Sequence, residues 1–249
     1  HLAAVYDPMI NLILQGSKSI TVGCETLHYD PATYFVMSVD LPAAGIVRPA
    51  PSGEPYLAVS LTLDARVLAG LLSDLPGDAG HGGQETAFSV AAVTPALLDA
   101  WVRMLRLMTH PADIPALAPA YEREILYRVL QGPMGWMLRD IATPDTALAR
   151  VHRVIQRLRH DYAEVLRVDD LAEEAAMSVS AFHRHFKAVT SLSPLQYQKQ
   201  VRLLQARTLL VAAGYSVTSA AHAVGYERPP QFSSESARAV SPHTLLTRR

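Results

Sequence analysis

At 249 residues the chain has room for one or two domains, each large enough to bury a core of its own. Its one cysteine, Cys24, excludes an internal disulfide and a cysteine-rich zinc site, and fits a reducing cytoplasm. A net charge of −1 conceals a division: residues 1–150 hold nine Lys and Arg against fifteen Asp and Glu, whereas residues 151–249 hold thirteen against eight, with six histidines. An acidic half joined to a basic half assigns nucleic-acid contact to the second. No apolar run approaches the roughly 18 residues that span a bilayer, so no membrane partner is expected. The first residue is His1 rather than Met, which predicts that the natural start lies upstream or has been removed.

From Met9 to Asp64 the runs MINLIL, SITVG, TLHYD, YFVMSVD, AGIVR and YLAVSLTLD are rich in β-branched and aromatic residues and separated by Gly, Pro or Asp. Six such runs predict an antiparallel barrel or sandwich. Residues 65–72 have helical periodicity, 76–84 read as a flexible loop, and FSVAAV at 88–93 returns as a strand. The pattern then turns helical. A helix over 95–108 gathers Leu97, Leu98, Trp101, Leu105 and Met108 near one face and is closed by Pro111. Another over 120–132 gathers Ile125, Leu126, Val129 and Leu130 and ends at Gly132–Pro133. These two helices serve either a homodimer interface or the domain's own core.

Small barrels hold ligands in the mouth or lumen, and His28, Tyr29, Tyr34 and Met37 are the strand residues placed to line one. Each also reads as ordinary packing. Catalytic and metal sites are not expected. No HxH pair with a following Glu occurs before residue 150, and His183 and His185 lie on a helix, where positions two apart point about 200° apart. The HisGlyGly at 81–83 lacks the GxSxG that an oxyanion loop would serve, and Cys24 has no basic partner nearby in sequence.

In the second half, Asp145 or Thr146 can cap a helix whose Leu148, Val151, Val154, Ile155 and Leu158 repeat at helical spacing. Asp169 is placed to cap a short helix, DLAEEAAM, with Glu173 and Glu174 near its positive end. After a turn at Met177–Ser178, Ser178 or Ser180 caps the next helix. Its inward face is Phe182, Phe186 and Val189; its outward face is Ser180, His183, Arg184 and Lys187. Arg bonds a guanine edge bidentately, whereas Lys and Ser more often hold phosphate. Ser193–Pro194 opens a long segment, 193–212, with apolar residues on more than one side, ended by Gly214. A second helix–turn–helix pattern follows over 217–238.

DLAEEAAMSVSAFHRHFKAVTSLSPLQYQKQVRLLQARTLL and AAHAVGYERPPQFSSE together resemble the AraC/XylS family of bacterial transcription regulators, over about 100 residues from roughly 150 to the end. LILQGSKSITVG and YDPATYFVMSVDLP are similar to the cupin-like N-terminal domain of one AraC subgroup. The resemblance implies an α+β chain. An N-terminal antiparallel β barrel with two amphipathic helices, 1–141, precedes an all-α domain of about seven helices with two helix–turn–helix units, 142–249. It implies double-stranded DNA as partner, contacted by Ser178, Ser180, His183, Arg184 and Lys187 in the first unit and by Pro230, Gln231, Ser233, Ser234 and Arg238 in the second. It also implies a small-molecule effector without a cofactor, a homodimer through the 95–132 helices and contact with RNA polymerase. The alternatives are a constitutive DNA-binding dimer whose barrel is only structural, and a cupin-type enzyme fused to a DNA-binding domain. The second unit departs from the family pattern: Ser234 replaces an Arg, Ser236 a Phe, and 237–241 is about two residues short. Asymmetric reading is therefore expected, with the first unit stronger.

Overall fold

The computed structural model describes residues 2–75, 86–227 and 232. The predicted loop at 76–84 and the second unit's Pro230, Gln231, Ser233, Ser234, Ser236 and Arg238 lie outside the described residues.

Among the described residues, eight strands form two antiparallel four-stranded sheets. The first joins β1 (Leu2–Tyr6), β6 (Leu41–Arg48), β3 (Ser17–Val22) and β4 (Glu25–Tyr29) in that order. The second joins β7 (Leu57–Thr62), β2 (Met9–Gln15), β5 (Thr33–Met37) and β8 (Phe88–Ala92). Period-two alternation brings Ile20 and Val22 into the core, and Tyr29 of the first sheet stacks on Phe35 of the second with ring centroids 5.3 Å apart. The barrel-or-sandwich expectation is met by these two facing sheets. β1 extends the expected set: LAAVY is Ala-rich, a poor strand signal, and forms only as an edge paired with β6.

Helix α1 (Ala65–Ser73) is capped by Asp64, and α2 (Pro95–Arg106) by Thr94. α2 gives way to a short 3₁₀ turn, so Leu97 and Trp101 are buried while Leu98 and Met108 face outward. α3 (Ile114–Leu130) starts six residues before the expected position and carries Pro119 inside it. The missing amide there frees only the carbonyl four residues back, in an exposed first turn that water can satisfy. α4 (Gly135–Ala142), not expected, buries Met137 and Leu138.

In the second half, α5 (Ala147–His160) is capped by Thr146, α6 is Val168–Glu174, α7 is Val179–Thr190 and α8 is Pro194–Ala212. α9 (Val217–Ala223) completes the described helices, and Phe232 is itself helical. Asp169 is not the cap of α6. The helix starts two residues earlier, with Arg167 at the cap position, and Asp169 and Asp170 instead complement the positive end of its first turn. One apolar core runs without interruption from Ile10 in the sandwich to Val201 on α8; a smaller one holds Ala206, Ala221, Val224, Tyr226 and Phe232.

Candidate DNA-reading helix and sandwich interior

α7 owes its placement to three apolar side chains. Phe182, Phe186 and Val189 are fully buried; Phe182 and Phe186 meet edge to face at 5.5 Å, and Phe186 meets Tyr197 of α8 at 5.8 Å. Ser178, of the two serines considered, is the cap, its hydroxyl accepting from the Ala181 amide at 3.3 Å. The tight turn between α6 and α7 puts Ala176 in the left-handed region, φ 51°, one residue before the expected turn. What remains on the other side is Ser180, His183, Arg184 and Lys187, all exposed, together with the exposed cap Ser178. The five residues expected in the first unit are thus brought onto one accessible edge of a helix held rigidly from behind.

α8 starts with a capping box, Ser193 accepting from the Gln196 amide while the Gln196 side chain accepts from the Ser193 amide. Farther along it, Arg202 reaches the carbonyls of Tyr162 (2.6 Å), Glu164 (2.9 Å) and Gly225 (3.2 Å). This guanidinium ties the end of α5 to the turn after α9. Gly225 sits there at φ 86°, and a Cβ on it would lie 2.0 Å from the Ala163 carbonyl oxygen, so only glycine fits.

The sandwich contacts these helices directly. Asp40, 2% exposed between β5 and β6, receives Arg159 and Gln156 of α5 on its two carboxylate oxygens, and its backbone carbonyl accepts from the Tyr197 hydroxyl at 2.9 Å. Gln156 also contacts the half-buried His152 at 3.1 Å, and Asp7 pairs with Arg159 at 2.6 Å. Behind α7, the Ser191 hydroxyl donates to Glu25 at the start of β4 at 2.5 Å, and the Ala87 amide donates to the Val189 carbonyl at 3.2 Å. None of the contacts between the sandwich and the helices was expected, because each joins residues more than 100 positions apart.

The four residues expected to line a pocket do not share one. His28 is exposed on the outer face of its sheet, where Nδ1 lies 2.7 Å from the Ser19 hydroxyl; adjacent strand residues point to opposite faces, so it cannot join Tyr29 inside. Tyr34 points away from Phe35, its hydroxyl toward Gly132, and burial pushes its phenol up to about 12. Met37 alternates in phase with Phe35 and, with Tyr29, faces the interior. Tyr29 is deeply buried, its hydroxyl has no hydrogen-bond partner among the described residues, and burial drives its phenol strongly upward, helped by nearby Tyr56 and Tyr6.

Lys18 was not expected to face inward, yet it is 7% exposed, stands opposite Tyr29 in the β3–β4 register, and rests its ammonium 4.9 Å from the Tyr6 ring centroid. Its phase with Ile20 and Val22 was the available signal. Among the described residues, no group of His, Cys, Asp and Glu is arranged to hold a metal ion.

The sequence profile described as the AraC-type transcriptional regulator N-terminus matches residues 1–137. The chain belongs to this family. A helix-turn-helix domain profile matches 171–246 of this AraC-type chain, from within α6 past the end of α9. It is 30% identical over 147 residues to the HTH-type transcriptional activator RhaS of Salmonella paratyphi A, covering 57% of this chain and 50% of that protein. It is 31% identical over 98 residues to RhaS of Yersinia pestis strain Pestoides F, covering 39% and 36%. This AraC-type chain therefore spans about half the length of the curated relatives it matches. In fold it is similar to unsaturated fatty acid-bound ToxT of Vibrio cholerae, with a TM-score of 0.61, 12% identity, and coverage of 93% of this chain and 83% of that one. No described helix is long and apolar enough to cross a membrane.

Proposed function

We propose that this chain regulates bacterial transcription by binding promoter DNA through α7, with Ser180, His183 and Arg184 toward the bases and Ser178 and Lys187 on phosphate. The observation that carries this reading is the exposed polar edge of α7 backed by Phe182, Phe186 and Val189 inside a helix–turn–helix. Pro230, Gln231, Ser233, Ser234 and Arg238 supply the second, weaker contact. Residues 1–141 are the effector unit and 142–249 the reader. The contact of Glu25 with Ser191 is the route by which a small molecule between the sheets reaches α7. The relatives are regulators, and catalysis is no part of this reading; its place is the cytoplasm, where the DNA is.

A second copy of the chain is assigned to the outward side of α2 and α3. Leu98, Met108, Ile114 and Leu117 are all exposed there, an apolar set that a partner would bury. RNA polymerase is the further protein partner.

A gel shift on the DNA upstream of its own operon, over a salt series, tests the central reading. Binding should weaken steeply with salt, because phosphate contacts release counterions. Absence of any complex at low salt would refute it.

A further inference from the structure

Burying an ammonium without a counter-charge is expensive, and proteins normally pair or hydrate it. Lys18 does neither among the described residues: no carboxylate lies within ion-pairing distance, and its one partner is the face of Tyr6. A cation–π contact replaces only part of the lost hydration. Directly opposite, on β4, Tyr29 buries a hydroxyl with no hydrogen-bond partner among the described residues. Residues opposed in this way hold their Cβ atoms about 4.5–5.5 Å apart. Tyr56, half-buried, is close enough to Tyr29 for their phenols to repel each other on ionisation. One positive charge and one unused donor therefore stand side by side among buried aromatic and aliphatic groups. On the floor of β6, in register with Val22 and Ile20, stand Ala43 and Gly45, whose side chains reach no farther than a methyl.

We infer that the effector of this chain is an organic acid with an apolar body, its carboxylate bound between the Lys18 ammonium and the Tyr29 hydroxyl. The inference rests on the reading of the sandwich as an effector unit and specifies what that unit recognises. A neutral sugar or polyol would leave the lysine's charge unanswered; a carboxylate completes it, and the ring stack of Tyr29 on Phe35 offers apolar surface to the rest of the ligand.

The test is thermal melting of the full chain with straight-chain monocarboxylates from butanoate to hexadecanoate, each beside the primary alcohol of equal length. A ligand that binds only the folded state raises the melting temperature. At least one acid should raise it while its alcohol does not. Lys18→Met should abolish that shift, Lys18→Arg should retain it, and Tyr29→Phe should weaken the apparent affinity about tenfold through loss of a charge-assisted hydrogen bond. Equal shifts by acid and alcohol, an undiminished response in Lys18→Met, or no response to any acid would overturn the inference. A parallel screen of neutral sugars separates the two readings: a response there with none to acids leaves an effector unit standing and removes its acid specificity. Should Lys18→Met fail to fold, Lys18→Arg and Tyr29→Phe decide the question.

Discussion

Arg159 on α5 sets its guanidinium against the buried carboxylate of Asp40, across 119 positions of sequence. Removing one member of a buried ion pair typically costs about 3–5 kcal/mol, because the other is left desolvated. Arg159 is about one-third exposed and keeps Asp7, which reduces the penalty. Asp40→Ala should therefore lose about 2–3 kcal/mol in urea unfolding. A loss below about half a kcal/mol, the range of ordinary surface substitutions, would mean the pair does not hold the two halves together.

Arg184 and Lys187 lie on the same exposed edge but should fail differently. Arg184→Ala should flatten preference at one or two base positions, by about 1–3 kcal/mol, in selection from randomised DNA. Lys187→Ala should weaken all sequences alike and reduce the slope of affinity against salt by about one. Interchanged results would reverse the two assignments.

His152 gives the docked state a pH dependence. Burial holds its imidazole below the ordinary value of 6.5, with a backbone contact at Ser38 working weakly the other way. Above 6.5 the ring is neutral folded or unfolded and contributes nothing. As pH falls below 6.5 the unfolded chain takes up the proton first, so stability declines until the folded pKa is passed. His152→Leu should flatten this decline in unfolding free energy measured across that window, and an unchanged profile would remove His152 as its source.

Gly225→Ala should damage only the second helix–turn–helix unit. The left-handed backbone alone costs about 1–3 kcal/mol for a residue with a side chain, and the clash with the Ala163 carbonyl adds to it. Faster hydrogen exchange in α9 with unchanged exchange in α5 and α7 is the expected pattern; uniform loosening would show the two units to be one.

What could be read in advance followed from local chemistry. Phe182, Phe186 and Val189 at helical spacing, behind a serine and with Arg184 between them, announce α7 whatever the rest of the chain does. α4 stayed hidden because Gly135 looks like a helix stop. It is a glycine for another reason: a Cβ there would lie 1.9 Å from the Leu130 carbonyl oxygen. Strand parity would have separated His28 from Tyr29 and placed Lys18 beside Ile20, had a charged side chain been allowed inward. Asp40 with Arg159, and Glu25 with Ser191, are out of reach of any local pattern, since each pairing exists only after the helices have docked.

The continuity of the core from Ile10 to Val201 carries a consequence for how the molecule comes apart. α5, α7 and the first half of α8 share their buried surface with the sandwich, while Ala206, Ala221, Val224, Tyr226 and Phe232 form a separate cluster touched from the main core's side by Tyr162. Heating should therefore melt the two helix–turn–helix units separately: the second as a small, early event, the first only with the sandwich. A fragment cut at the boundary before α5 would expose the apolar surface that the sandwich now covers, so the smallest cooperative folding unit containing α7 includes the sandwich.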